Sequence, residues 1–417
     1  MSRSLNQRPT LTQPGNKDSF SRRASAQPQL RAVLFGDSIT DRNGPGAVGN
    51  SGETTAYNDS RGWFHWANTL LGKPFEMTKN AGRGGDTTTQ MLARITDITS
   101  VGGQGAWLFG MAGVNDRLSQ SPAMTIANLK AIFTAAFNAG YERIVWATVW
   151  PDTNEYTTRY VLDQVNEWLF AYAAVTPNFI LVNWLEVFVD PNSATSSGSP
   201  VPAYTTDGLH PSPLGAMVLG QYLADIIRPY VPRTSSLLMR SPSTVVSANP
   251  MMTGSVSGLA TGFTKAGFAG GAFKLPRYDG RSGEWQMLVS TATGTNQCYM
   301  VTNISGGTFA VGDKLYAELE FETDDDWTAC TEFSLQLFAS GDATVTTGIY
   351  QVMDMMQRSG VTTFGGNPRR GVLRTPALAI PAGVTVGSSG QIRALLNFNG
   401  IGTVRIARFA VRKVAAS

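Results

Sequence analysis

Residues 32–40 read Ala-Val-Leu-Phe-Gly-Asp-Ser-Ile-Thr, and this stretch decides the fold. The apolar run 32–35 is too short for a helix and fits a strand buried on both faces. Gly36 stops the run and Ser38 follows at once, so a hydroxyl is delivered to the carboxyl end of that strand. In open α/β sheets this edge is where ligands bind. Asp-Ser after a strand is also a common helix cap, and a serine hydroxyl needs an adjacent base before it becomes a nucleophile.

Outward from this strand the same rhythm repeats. Short apolar runs at 106–111, 144–149 and 179–183, with a weaker one near 75–78, alternate with helix-length segments. Ile126, Leu129, Ile132, Phe133, Ala136 and Phe137 share one helical face, and Val161, Leu162, Val165, Trp168, Leu169 and Tyr172 share another. A last helix follows the turn at Pro211 and Pro213. Residues 31–232 therefore predict an α/β domain of three layers, α/β/α, with a parallel sheet.

A chain of 417 residues exceeds one ordinary core. Residues 233–250 are rich in Ser and Pro and read as a linker. Beyond them the period changes: Leu315, Ala317, Leu319 and Phe321 alternate with Tyr316, Glu318 and Glu320. Phe333, Leu335 and Leu337 repeat the pattern, as do Ile392, Ala394, Leu396 and Phe398, and a strand near 404–411 follows. Residues 251–417 thus predict an all-β sandwich. The first 30 residues lack apolar periodicity and read as a flexible basic arm that orders on a partner. Residues 1–31 carry +5 of a net +3, so the remainder is mildly acidic and nucleic acid is disfavoured as the main ligand.

Composition excludes several chemistries. No GxxxxGK[ST] loop and no GxGxxG after a strand is present, which argues against nucleotide binding. With two His in all, and with Cys298 and Cys330 isolated, neither a metal site nor a disulfide framework is expected, and the cysteines read as buried thiols. No apolar run is long enough to span a bilayer. The opening residues do not read as a Sec signal peptide, which fits release by lysis as well as a cytoplasmic location.

The base for Ser38 is found in Asp207-Gly208-Leu209-His210. Asp three residues before His, on a turn into the last helix, lets one carboxylate orient the imidazole, as in any Ser-His-Asp arrangement. The rival, His65, lies between aromatics in Trp63-Phe64-His65-Trp66 and reads as a packing or wall residue. Oxyanion donors have two sources: the glycine-rich Asn80-Ala81-Gly82-Arg83-Gly84-Gly85-Asp86, and Gly113-Val114-Asn115-Asp116. Taken singly, each is equally a tight turn or a helix cap.

Four blocks, GDSIT, NAGRGGDTT, GVND and DGLH, occur in this order at successive strand ends. The set resembles the SGNH, or GDSL-like, hydrolase family over residues 32–230. That resemblance implies a flavodoxin-like five-stranded parallel sheet. It also implies Ser38 as nucleophile, Asp207 and His210 completing the triad, and an oxyanion hole of the Ser38 N–H, the Gly85 N–H and the Asn115 side chain. Asn80, Asp37 and Asp116 would organise loops, and no cofactor or metal would be needed. The stretches Asn249-Pro250-Met251-Met252-Thr253-Gly254, Arg374-Thr375-Pro376 and Ile380-Pro381 are similar to β-sandwich modules of bacteriophage tail and virion proteins. Those modules imply glycan binding or assembly.

Loops 41–62 and 190–206 are rich in Gly, Asn, Ser, Thr and Pro and poor in Leu and Ile, unlike a lipase cleft. Trp63, Trp66, Trp150, Tyr156 and Tyr204 are candidates to stack on sugar rings. The leading expectation is a phage-borne, virion or extracellular esterase that removes acetyl groups from a bacterial surface polysaccharide. Other virion proteins are then the expected partners of the arm. The alternatives are a general short-chain esterase or thioesterase, and a virion structural protein that binds glycan without turnover. No heptad run speaks for a particular oligomer.

Overall fold

The computed structural model describes residues 30–44, 46–50, 53–58, 60–103, 105–150, 152, 159–193, 198–232, 244–291, 298–304, 308–324, 328–339, 350–357, 369–380 and 392–414. The basic arm up to residue 29, Tyr156, and the side chains of Cys298 and Cys330 lie outside them.

In the first domain the strands are β1 (Leu30–Gly36), β2 (Gly46–Asn50), β3 (Glu53–Asn58), β4 (Phe75–Gly82), β5 (Ala106–Met111), β6 (Arg143–Ala147) and β7 (Phe179–Val182). Helices are α1 (Ser38–Asp41), α2 (Trp63–Leu70), α3 (Thr88–Ala93), α4 (Thr96–Thr99), α5 (Pro122–Asn138), α6 (Arg159–Val175), α7 (Leu185–Phe188) and α8 (Pro213–Ile227). Five strands form a sheet in the order β4-β1-β5-β6-β7, all parallel. Counted along that sheet the order is 2-1-3-4-5, the flavodoxin-like doubly wound pattern.

Alternation along β1 divides the core. Ala32 and Leu34 pack with Trp63, Phe64, Leu219 and Leu223 of α2 and α8. Val33 and Phe35 pack on the other face with Met91, Ile132, Phe133 and Val165 of α3, α5 and α6. Both faces are covered by helices, which is why the strands are apolar throughout. Register then sets the site: Gly36 is level with Gly82 on one side and with Met111 on the other. The loops after β1, β4 and β5 therefore leave the sheet at one carboxyl edge. A side chain at Gly82 would come within 2.2 Å of the Asp41 backbone nitrogen, so glycine is what lets α1 settle against β4.

The second domain contains β8 (Thr264–Ala266), β9 (Gly271–Pro276), β10 (Glu284–Ser290), β11 (Cys298–Asn303), β12 (Lys314–Thr323), β13 (Thr328–Ala339), β14 (Tyr350–Gln357), β15 (Arg369–Arg374), β16 (Leu378–Ala379) and β17 (Ile392–Lys413). The 22-residue β17 pairs with β11 and β13 through its first half and with β10 and β12 through its second. It passes from one sheet to the other near Gly402, whose φ is 143°. Leu315, Ala317, Leu319, Phe321, Leu335 and Leu396 meet in a common core, as their alternation predicts. The other face of β12 is buried too. Glu318 binds Arg374 and Arg412, and Glu320 binds Arg277 and Arg281, so each carboxylate taken out of water has cationic partners.

Two features join the domains. Residues 41–62, expected as a polar loop, contain the β2–β3 hairpin, and β3 pairs in parallel with β14 of the second domain. Trp66, Ala216 and Met217 of α2 and α8 belong to the sandwich core. Within the stretch read as linker, Val245 bridges Arg412 and Val246 donates its N–H to the Val411 carbonyl at 2.9 Å.

Candidate active site

Asp37 starts the site by capping α1: its Oδ1 accepts from the Ile39 N–H at 2.9 Å. That cap turns the chain sharply after β1 and puts Ser38 on the first residue of the helix. Asp37 itself is fully buried, and its Oδ2 has no hydrogen-bond partner among the described residues. Burial pushes its carboxyl up to about 7, with the neighbouring Asp116 and Asp86 charges adding to the rise against the Ile39 bond.

Ser38 Oγ and His210 Nε2 are 2.8 Å apart, and His210 Nδ1 is 2.7 Å from Asp207 Oδ2. The carboxylate fixes hydrogen on Nδ1 and leaves Nε2 to accept the Ser38 proton. Asp207 Oδ1 also accepts from the backbone N–H groups of His210, at 2.7 Å, and Leu209, at 3.1 Å. Burial alone would raise the Asp207 carboxyl. The His210 backbone and ring bonds and the Leu209 N–H outweigh it and bring Asp207 down to about 2. The loop is held from below, where Trp150 Nε1 donates to the Leu209 carbonyl at 3.0 Å.

The glycine turn lies beside Ser38. A Cβ on Gly84 would stand 3.9 Å from Ser38 Cβ. Gly85 has φ +80°, a conformation open to glycine, and a Cβ there would meet nothing within 4 Å. Asn115 Nδ2 donates to the Asp86 carbonyl at 2.9 Å, which brings its amide to the same turn with a second hydrogen left to offer. Behind it, Asp116 accepts from the Thr88 N–H at 2.9 Å and from Thr125 Oγ1 at 3.1 Å, as well as from the Thr88 hydroxyl. Asn80 Nδ2 donates to the carbonyls of Asp41, at 3.0 Å, and Gly44, at 3.1 Å. Asp37, Asp116 and Asn80 are thus loop organisers in this geometry.

Arg94 escaped the sequence reading. Its guanidinium donates to Asp86 Oδ2 at 2.6 Å, to the Ala81 carbonyl at 2.8 Å and to the Gly36 carbonyl at 3.0 Å, while lying over the Phe35 ring. Its one readable sign was a lone arginine just past the helix that follows the glycine turn. The aromatic expectation is corrected. Trp63, Trp66 and Trp150 are core residues, 2%, 1% and 0% exposed: Trp63 on α2 and Trp150 in the loop after β6 pack into the α/β core, and Trp66 turns into the sandwich core. Of the five aromatics, Tyr204 alone is described and partly exposed. His65 is buried on α2, with Nδ1 3.3 Å from Lys73 Nζ, and takes no part in this relay.

A serine, its imidazole and a carboxylate in hydrogen-bonded sequence, set at the carboxyl edge of a doubly wound sheet, define an acyl-transfer site of the Ser-His-Asp class. Residues 34–218 match the model of the GDSL-like Lipase/Acylhydrolase family, which supports a GDSL/SGNH-like esterase or acylhydrolase assignment for the α/β domain. Solved structures similar to the chain include a member of the lipolytic protein G-D-S-L family from Veillonella parvula DSM 2008. That pair is 20% identical, covers 48% of this chain and 98% of the other, and has a TM-score of 0.35. Another is Axe2, an acetylxylan esterase from Geobacillus stearothermophilus, at 21% identity, 48% and 94% coverage and a TM-score of 0.36. A carbohydrate esterase family 3 structure from Talaromyces cellulolyticus matches at 12% identity, 48% and 97% coverage and a TM-score of 0.34. No curated protein matches the chain in sequence. Among the described residues, no helix is long and apolar enough to cross a membrane.

Proposed function

We propose that the protein is a serine esterase that removes O-acetyl groups from a bacterial surface polysaccharide. The observation that carries the chemistry is the relay Ser38–His210–Asp207, at 2.8 and 2.7 Å. Ser38 Oγ attacks the acetyl carbonyl carbon as His210 Nε2 takes the hydroxyl proton, and Asp207 stabilises the imidazolium. The Ser38 and Gly85 N–H groups and Asn115 Nδ2 hold the oxyanion. Collapse breaks the carbonyl–alkoxy bond, His210 returns the proton to the sugar oxygen, and the acetyl group stays on Ser38. Water, deprotonated by the same imidazole, then releases acetate.

A small acyl group on a hydrophilic alcohol is supported by the surface beside Ser38. Arg83, Gly84 and Gly85 are exposed there and offer charge and backbone where a lipase would offer aliphatic side chains. We propose further that the enzyme works on a phage virion or outside the cell, with residues 1–30 docking onto other virion proteins. The basic charge of that arm and the likeness of the β-sandwich segments to virion modules support this. Immunogold labelling of purified particles tests it.

The primary experiment measures acetate released from p-nitrophenyl acetate and from acetylated polysaccharide. Ser38→Ala is expected to lose on the order of three decades of rate or more. Full turnover by that variant overturns the esterase reading. Turnover of the small ester alone removes the polysaccharide.

A further inference from the structure

A cavity of about 450 Å³ lies between the domains, away from the triad. On one side it is walled by α2 and the start of β4, and on the other by Tyr316 of β12 and residues 374–377 at the end of β15. A space of this size holds one or two sugar rings. Phe64, Phe75, Met77 and Pro376 give it apolar walls of the kind on which the C–H face of a pyranose packs.

Its charge is set by Lys73 and Arg374, with Glu76 as the one carboxylate among the lining residues. Lys73 is only 5% exposed and holds φ at 57°, a left-handed conformation that is strained for a side-chain-bearing residue. The turn that imposes it is firmly built. The Lys73 N–H donates to the Asn68 carbonyl at 2.6 Å, and the Asn68 amide pairs with both backbone groups of Phe75 at 3.0 and 3.1 Å. Arg374 reaches across the domain boundary to the Lys73 carbonyl at 3.4 Å. It shares the buried Glu318 with Arg412, so one carboxylate serves two guanidiniums. Lys73 Nζ lies 3.3 Å from His65 Nδ1, another lining residue. Strain retained at a buried lysine whose carbonyl is met by a second basic side chain is the kind of outlier from which a function is inferred. Tyr316 adds a hydroxyl, and burial with the nearby Glu318 raises it above its ordinary range, so it stays a neutral donor.

We infer that this cavity is a subsite for a carboxylated sugar residue of the polysaccharide, with Lys73 and Arg374 receiving the carboxylate. The inference rests on the reading of the substrate as a glycan. A wall residue ties it to the chemistry: Asn43 Nδ2 donates to the Thr40 carbonyl at 2.8 Å, two residues from Ser38, and its Oδ1 accepts from the Phe64 N–H at 2.7 Å.

The test is calorimetric titration of the full chain with methyl glucuronide and with neutral methyl glucoside, alongside hydrolysis of p-nitrophenyl acetate. Wild type should bind the glucuronide at least tenfold more tightly than the glucoside. Lys73→Met should remove that preference, Lys73→Arg should retain it within about threefold, and both should hydrolyse the small ester within twofold of wild type. Equal binding of the two sugars, or an unchanged preference in Lys73→Met, overturns the subsite. Deacetylation of a neutral polysaccharide without glucuronide binding sinks the subsite and leaves the esterase standing. Loss of ester hydrolysis in wild type has the opposite consequence.

Discussion

Arg94 Nη2 donates to the Gly36 carbonyl at 3.0 Å, and through this contact the end of β1 is fixed to the glycine turn beside it. The same guanidinium holds Ala81 and Asp86, so one planar fork sets three chain segments at once. Arg94→Lys keeps the charge and loses the fork. The expected result is a drop of about tenfold in kcat and a loss of roughly 1–3 kcal/mol of unfolding free energy, from stranded buried carbonyls. Urea titration and steady-state kinetics on one preparation check both, and wild-type values in either would separate Arg94 from the turn.

In the proposed mechanism Asn115 offers its side-chain N–H where charge develops only in the transition state. Asn115→Ala should therefore lower kcat by roughly 10²–10³ and leave KM almost unchanged. A variant that raised KM and spared kcat would assign Asn115 to ground-state binding.

Asp37 gives a pH signature of definite sign. Its folded value of about 7 lies above the ordinary 3.8, so the folded state keeps a proton that the unfolded chain releases. Stability from this group is intact below the ordinary value and is lost as pH rises toward the folded one, at up to roughly 1.4 kcal/mol per pH unit. Asp37→Asn keeps an oxygen to cap Ile39 and removes the titration. The difference between wild type and variant, measured by denaturant unfolding from acid to neutral pH, should move in the variant's favour as pH rises. A pH-independent difference would mean that Asp37 titrates alike in the folded and unfolded chain.

Gly371 on β15 packs against the end of α2 across the domain boundary. A Cβ there would lie 2.7 Å from the Thr69 carbonyl oxygen at the end of α2, a backbone atom that cannot swing aside. Gly371→Ala should cost about 1–3 kcal/mol. Because Trp66 and Met217 belong to the sandwich core, the loss should show in the melting of both domains. Near- and far-ultraviolet circular dichroism melts that separate into two transitions, with only one displaced, would contradict a shared core.

Much of the α/β domain was legible because its signals are local. Val33 and Phe35 against Ala32 and Leu34, a stop at Gly36, and Asp three residues before His are all patterns within a few positions. The geometry then brings Ser38, His210 and Asp207 into one hydrogen-bonded row. What stayed hidden was set by partners distant in sequence. Nothing near Arg94 announces that it will meet Gly36, 58 residues away. Glu318 and Glu320 read as solvent-facing charges, because the arginines that cover them come from β10, β15 and β17 neighbourhoods. Trp63, Trp66 and Trp150 looked available to a sugar for the same reason: burial is decided by which segments pack together, and composition does not record that.

The long strand β17 has a consequence for how the molecule is made. Every strand of the parallel sheet is synthesised by residue 182, so the catalytic half can collapse on contacts already available to it. The sandwich has no such freedom. β10, β11, β12 and β13 all take β17 as a neighbour, and it is synthesised after all of them. Until it arrives, their edges are open to strands of other chains, the condition under which β proteins aggregate. The order of synthesis therefore makes the joining of the two sheets a late event, and the apolar faces of Trp66 and Met217 wait for it on a domain whose parallel sheet is already complete.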